Sequence, residues 1–194
     1  AQHHWANVTL TPSNNPNIVI SENKRKVNYI ELLHKNAPFS FTSAYSPTVI
    51  PVCTRPYSEG ILGHPAFTSG KNYWEVDVSE KTAWILGVCQ PKLGPTQTPF
   101  SLQQGSKYKP AHGYWVIGLQ GPSHVFYEET PIFMTLTIPS RRIGVFLNYE
   151  ASTISFFSVT HPIYLIYKFS GCSFPSEVFP YFNPMQCPRP MTLC

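Results

Sequence analysis

The chain has 194 residues, of which 42% are hydrophobic and only 12% charged, with 20 prolines, a net charge of +4 and a sequence pI near 8.8. A β-fold of this length is often a single domain, with enough buried surface to do without disulfide or metal staples. The basic residues form only two short runs, Lys24-Arg25-Lys26 and Arg141-Arg142. This is not the stripe that marks a nucleic-acid binder, and nucleic acid is not an expected partner.

In chain order, residues 1–35 are polar and mixed, and AQHHWANVTL reads as the end of a helix entering a first strand. Pro12 and Pro16 bracket an asparagine-rich turn. Asn17–Ser21 is a short apolar strand followed by a charged edge, ENKRKV. Residues 36–58 are rich in Pro, Ser and Thr and read as loop. In YWEVDV, Trp74, Val76 and Val78 face one way and Tyr73, Glu75 and Asp77 the other, the period of a half-buried strand. Trp84–Cys89 and Gly113–Leu119 are continuous apolar runs, as for strands covered on both faces. RIGVFLNYEASTISFFSV is a hairpin turning at NYEAS, and LIYKFS, VFPYFNP and PMTLC are the closing strands, with Pro expected at their ends. The pattern predicts an antiparallel β-sandwich. Trp74, Trp84 and Trp115 are expected in its core.

Catalytic and metal chemistry find no support. The seven histidines form no recognisable constellation, and neither HExxH nor GxSxG occurs. Gly63 to Gly70-Lys71 spaces its glycines wrongly for a phosphate loop, and Asn72 stands where Ser or Thr would hold magnesium. Glu75 and Asp77 read as a solvated or turn-bonding pair, and His3-His4 as a polar chain end. Five cysteines without a CxxC pair argue against a disulfide framework or a zinc site; Cys89 reads as a small buried hydrophobe. Reduced thiols suit a cytoplasmic location. There is no signal peptide and no apolar run long enough for a membrane helix, so no membrane partner is expected. Asn7-Val8-Thr9 is a glycosylation sequon, of consequence only in a secreted chain. No cofactor, metal ligand or catalytic residue is assigned.

One stretch departs from this economy. Gln90–His112, QPKLGPTQTPFSLQQGSKYKPAH, carries four prolines, three lysines and no acid between two buried strands. Loops beyond about 12–15 residues are uncommon in compact domains and are usually functional or disordered.

The strand motifs together resemble the core of a PRY-SPRY domain: GKNYWEVDVSEKTAWILGVC, GYWVIGL, RRIGVFLNYEASTISFFSV and LIYKFSGCSFPSEVFPYFNP, in that order. VTLTPSNNPNIVISENKRKV resembles the preceding PRY segment. SFFSVT, LIYKFSGCSF and PMTLC are most similar to the C-terminal domain of the tripartite-motif antiviral factors that recognise retroviral capsids. The resemblance implies a bent antiparallel β-sandwich with short N-terminal helical segments and long variable loops. Residues 1–58 would be linker and PRY segment and residues 59–194 the SPRY segment, together one structural unit. It also implies a binding module whose relatives place a RING ubiquitin ligase, a B-box and a dimerising coiled coil ahead of it; this domain alone would be a monomer. The expected partner is the retroviral capsid lattice. The alternative is a host protein, an immune-signalling component or an antibody, marked for ubiquitination.

By position, Gln90–His112 corresponds to the first variable loop of those relatives. Within it, Pro91, Pro95, Pro99 and Pro110 restrict the backbone, Leu93, Phe100 and Tyr108 supply apolar anchors, and Thr96 and Gln103 are polar contacts. Lys92, Lys107, Lys109 and His112 form a rim suited to an acidic partner. Gln120–Pro139 takes the second variable position, shorter than in the primate capsid-binding relatives, with Phe126 and Tyr127 as contacts or core. Ser158–Tyr164 takes the third, with His161 and Tyr164 at its tip.

Overall fold

The computed structural model describes residues 4–31, 60–91, 107–136, 138–174 and 176–194. Fourteen strands form two seven-stranded antiparallel sheets. They are β1 (Thr9–Leu10), β2 (Ile18–Ile20), β3 (Lys26–Tyr29), β4 (Ile61–His64), β5 (Lys71–Asp77), β6 (Ala83–Cys89) and β7 (Tyr114–Gln120). Then come β8 (Ser123–Phe126), β9 (Ile132–Thr135), β10 (Arg142–Asn148), β11 (Thr153–Ser158), β12 (Tyr164–Phe169), β13 (Phe179–Asn183) and β14 (Met191–Leu193). One sheet runs β1-β4-β13-β6-β7-β8-β9 and the other β12-β11-β10-β5-β14-β3-β2. The fold is all-β. Helical turns among the described residues are limited to His4 and a 3-10 turn at Pro110–His112.

The hydrophobic pattern explains the layering. In β5, Trp74 and Val76 enter the core between the sheets, and Val78 just beyond the strand joins them. On the opposite face Asp77 accepts bonds from the Ser79 N–H and hydroxyl, a turn bond, while Glu75 takes the Tyr73 hydroxyl and faces Arg142 at 3.6 Å. Tyr73 on that face is nevertheless buried, because Trp5 packs edge-on against it at 4.8 Å. β6 and β7 show no alternation because their sheet is covered on both sides. Trp84, Leu86, Val88, Trp115, Ile117 and Leu119 belong to the inter-sheet core, while Ile85, Cys89 and Val116 join Val125, Tyr127 and Tyr181 in a second cluster. All three tryptophans of the strand motifs are buried, and burial pushes the Cys89 thiol up to about 12.

Pro180 corrects one expectation, because it lies inside β13 and not at its end. β13 is an internal strand, yet its ladder to β4 registers only Tyr181 and Phe182, so Pro180 stands beyond the end of that pairing. Strands β4, β8 and β9 give no clear sequence signal. β9 in particular is exposed at every position, so its side chains show no period-2 division into a buried and a solvated face.

Lys81, between β5 and β6, ties the end of the chain down. Its buried ammonium donates to the carbonyls of Pro184, Cys187 and Arg189 at 2.9, 3.1 and 2.9 Å, holding the β13–β14 connection. Burial lowers its affinity for the proton. Burial also opposes ionisation of the neighbouring Cys187 thiol, but the Thr82 and Arg189 N–H groups bring it down to about 7.

Candidate functional site

The strand registers place the variable segments at two ends of the sandwich. β6 ends, β7 begins, β8 ends and β9 begins at one end, where the β12–β13 connection also lies. The β9–β10 and β11–β12 connections lie at the other. The third variable segment, Ser158–Tyr164, is therefore remote from the base of Gln90–His112.

That base is stitched shut. The Gln90 N–H donates to the Gly113 carbonyl at 2.7 Å, and the Gln90 side-chain amide donates to the Ser176 hydroxyl at 3.1 Å. Gly113 follows the 3-10 turn at φ +80, and a Cβ there would lie 2.7 Å from the Gln90 carbonyl oxygen, so both the left-handed backbone and the close approach call for glycine. The Ala111 N–H donates to the Glu129 carboxylate at 2.9 Å, tying the turn to the β8–β9 connection. Beside it opens a cleft of about 290 Å³, walled by Trp115 and Phe169 and edged by Glu128 and Glu129. Glu128 accepts the Tyr167 hydroxyl at 2.5 Å; burial and this bond raise the Tyr167 pKa.

Tyr108 is the inward anchor of the loop. Its hydroxyl shares a 2.7 Å hydrogen bond with that of Tyr181 and accepts the Asn183 amide at 2.9 Å. Its ring packs against those of Tyr114, Tyr127 and Tyr181, and Lys107 sits 5.1 Å above it. Burial raises the pKa of Tyr108 and Tyr181, and that of Tyr127 to about 12, so these phenols stay neutral hydrogen-bonding groups.

The site expectations divide accordingly. Lys92, Leu93, Pro95, Thr96, Phe100 and Gln103 lie outside the described residues. Pro91, Lys107, Lys109 and His112 are partly buried at the base, and the His112 ring nitrogen Nδ1 lies 3.1 Å from the Lys107 carbonyl. Of the two readings of Phe126 and Tyr127, contacts or core, the structure shows core: they are 1% and 5% exposed. Tyr108 is partly buried and turned into the tyrosine cluster, so it holds the base of the loop more than it faces outward. Phe126 instead stacks on Tyr167 at 4.4 Å, joining the edges of the two sheets. His161 and Tyr164 are exposed.

What the sequence reading missed is the apolar side of the molecule. β9 and β12 are the last strands of their respective sheets, and the Phe126–Tyr167 stack and the Ser140–Tyr164 contact put them on the same side. Of nine exposed large apolar residues among those described, seven gather there: Ile132, Phe133, Met134, Ile138, Ile163, Tyr164 and Leu165. A gathered apolar patch of this kind marks interaction sites on soluble domains. The signal in the sequence is PIFMTLTIPS, a charge-free apolar run between Glu129 and Arg141 in a segment expected to be loop.

Among the described residues no group of His, Cys, Asp and Glu is arranged to hold a metal, and no helix is long and apolar enough to cross a membrane. The four described cysteines are unpaired. Two packed open sheets with an exposed apolar side and a long connection tied down at its base define a recognition scaffold. The SPRY domain family matches residues 71–189, and the chain belongs to that family, a binding domain and not a catalytic one. It is 42% identical to Tripartite motif-containing protein 5 of Macaca mulatta and 44% identical to that of Papio anubis, over 100% of this chain in both. It spans about 40% of the length of those relatives. The PSpry domain of TRIM65 shares the fold, with a TM-score of 0.70 at 18% identity over 100% of this chain and 92% of that one. Stonustoxin shares it over 28% of its own chain, with a TM-score of 0.67 at 19% identity.

Proposed function

We propose that this domain recognises the assembled surface of a retroviral capsid in the cytoplasm, using the Gln90–His112 loop together with the apolar side formed by β9 and β12. The observation that carries this reading is the gathering of exposed apolar side chains on that side, next to the cleft at the base of the loop. The similarity to Tripartite motif-containing protein 5 across the whole chain supports a protein partner, and the tripartite-motif capsid-binding factors that the motifs resemble supply the capsid.

In this reading the loop and the apolar side do different work. The stitched base holds the ends of the loop at fixed positions, while Lys92, Lys107 and Lys109 give the loop region a basic, acid-free character suited to an acidic surface. Ile163, Tyr164 and Leu165 add apolar contact at the far end. A single domain binds such a surface weakly. Pairing through a coiled coil and engaging a repeating lattice raises apparent affinity by about 10²–10⁴-fold through effective concentration. A ligase domain elsewhere in the full-length protein would then act on what is held.

The test is co-sedimentation of an artificially dimerised form with assembled capsid lattices. Two variants run beside it: one with residues 91–111 replaced by a Gly/Ser linker, the other Ile163→Ser with Leu165→Ser. The expected result is pelleting by the parent, loss with the linker and weakening with the double substitution. Failure of the parent to pellet on several retroviral capsids would overturn the capsid reading and leave a single soluble host protein as the partner to seek.

A further inference from the structure

Among the described residues β9 pairs with β8 alone, so one of its backbone edges is open. Sheet edges are normally protected by charge, by proline within the strand or by a covering element, since an open apolar edge templates pairing with another strand. Among the described residues β9 has none of these. All four of its residues are exposed, with Ile132 at 45%, Phe133 at 66% and Met134 at 38%. Pro131 and Pro139 lie outside the strand, and no charged residue occurs from Thr130 to Ser140.

We infer that β9 is a self-pairing edge, whose occupant is β9 of a second copy of this chain, antiparallel across a two-fold axis. Two observations select a copy of the chain over an unrelated strand. The first is register. Successive residues face opposite sides of a sheet, so a two-fold pairing that keeps each face continuous must be centred on a residue. Ile132 and Met134 lie on the face of their core-directed partners Phe126 and His124, and Phe133 lies on the face of Val125. Centring on Phe133 sets Phe133 against the second Phe133 on one face and Ile132 against Met134 on the other. Every exposed apolar side chain of the strand then gains an apolar partner. The second is charge. Glu129 precedes the strand and Arg141 follows it, so antiparallel copies run acidic end toward basic end, whereas a parallel pair sets like charges side by side.

A four-residue strand with three apolar side chains makes a small contact, so the pairing is weak in a free domain and becomes appreciable where two domains are already held close. It draws on the strand that the capsid reading also uses, but the two fail separately, because the pelleting assay uses an imposed dimer and does not depend on β9 pairing.

The test is site-directed crosslinking of this chain in a background carrying Cys53→Ser and Cys194→Ser. Directly opposed residues of an antiparallel pair have Cα atoms about 4.5–5.5 Å apart, within disulfide reach. Phe133→Cys should form a covalent dimer under mild oxidation at least about tenfold faster than Ile138→Cys, which is 75% exposed but off the two-fold. Sedimentation of the parent should shift toward dimer with rising concentration, and Phe133→Lys should abolish the shift with no change in melting temperature. A parent that stays monomeric at every concentration, or a Phe133→Cys chain that crosslinks no faster than Ile138→Cys, overturns the proposal.

Discussion

β7 and β9 lie in the same sheet, separated only by β8, and both are apolar. Yet Trp115 to Leu119 of β7 are buried without exception, while Ile132 to Thr135 of β9 are exposed without exception. Composition does not separate them; place in the sheet does. β7 has a strand on each side, the inter-sheet core on one face and the second aromatic cluster on the other. β9 has a strand on one side and solvent over both faces. Apolar residues at a central strand hold a fold together, and the same residues at a bare edge are a surface kept for something else.

The sharpest way to break that contrast is to truncate one residue from each kind of place. Trp84→Ala removes a side chain with no exposed surface from the centre of the sandwich and should cost about 3–5 kcal/mol, read as the shift of the urea midpoint. Lys81→Met should cost about 2–3 kcal/mol, because it leaves the carbonyls of Pro184, Cys187 and Arg189 without their donor in a buried place. Tyr108→Phe should cost about 1 kcal/mol by removing the hydroxyl that Tyr181 and Asn183 share. It should also speed amide hydrogen exchange at residues 107–114, which tests whether Tyr108 anchors the loop and does not serve as a contact.

Acidity probes the sheet just inside the open edge. His124 in β8 is 1% exposed, neither ring nitrogen has a hydrogen-bond partner, and burial lowers its pKa below the usual 6.5. The unfolded chain therefore takes up this proton more readily than the folded one. The His124 contribution leaves stability intact above about pH 6.5 and erodes it as pH falls through that value toward the lower folded pKa. His124→Leu should lose less stability than the parent between neutral pH and pH 5.5, measured by denaturation at each pH; equal losses would mean that His124 is not what acid attacks. The smallest effect belongs to the edge. Phe133→Ser should change stability by no more than about 0.5 kcal/mol despite removing a large apolar side chain.

Much of the scaffold was legible beforehand because its signal is local. Alternation in YWEVDV, the continuous runs of β6 and β7 and the turn between β10 and β11 each report their own surroundings. The candidate site was less legible. Tyr108 reads as a contact, and Phe126 and Tyr127 as contacts or core, because aromatic residues beside loops suit either place; only the neighbours Tyr181, Asn183 and Tyr167 reveal that they are held inward. Ile132, Phe133, Met134, Ile163 and Leu165 went unread for the opposite reason: nothing within such a segment says whether another strand will lie over it.

By itself the sequence determined an all-β domain of antiparallel strands, its three core tryptophans, the long acid-free connection between β6 and β7, and its kinship with PRY-SPRY domains. Those properties are carried by the period of side chains along single strands and by runs of a few residues. The tertiary structure alone decided which apolar residues are covered. That depends on the order of strands in each sheet, fixed by contacts such as β13 between β4 and β6, between residues far apart in the chain. It closed the core over Phe126 and Tyr127 and left β9 at the rim, where no other described strand lies beside its outer edge.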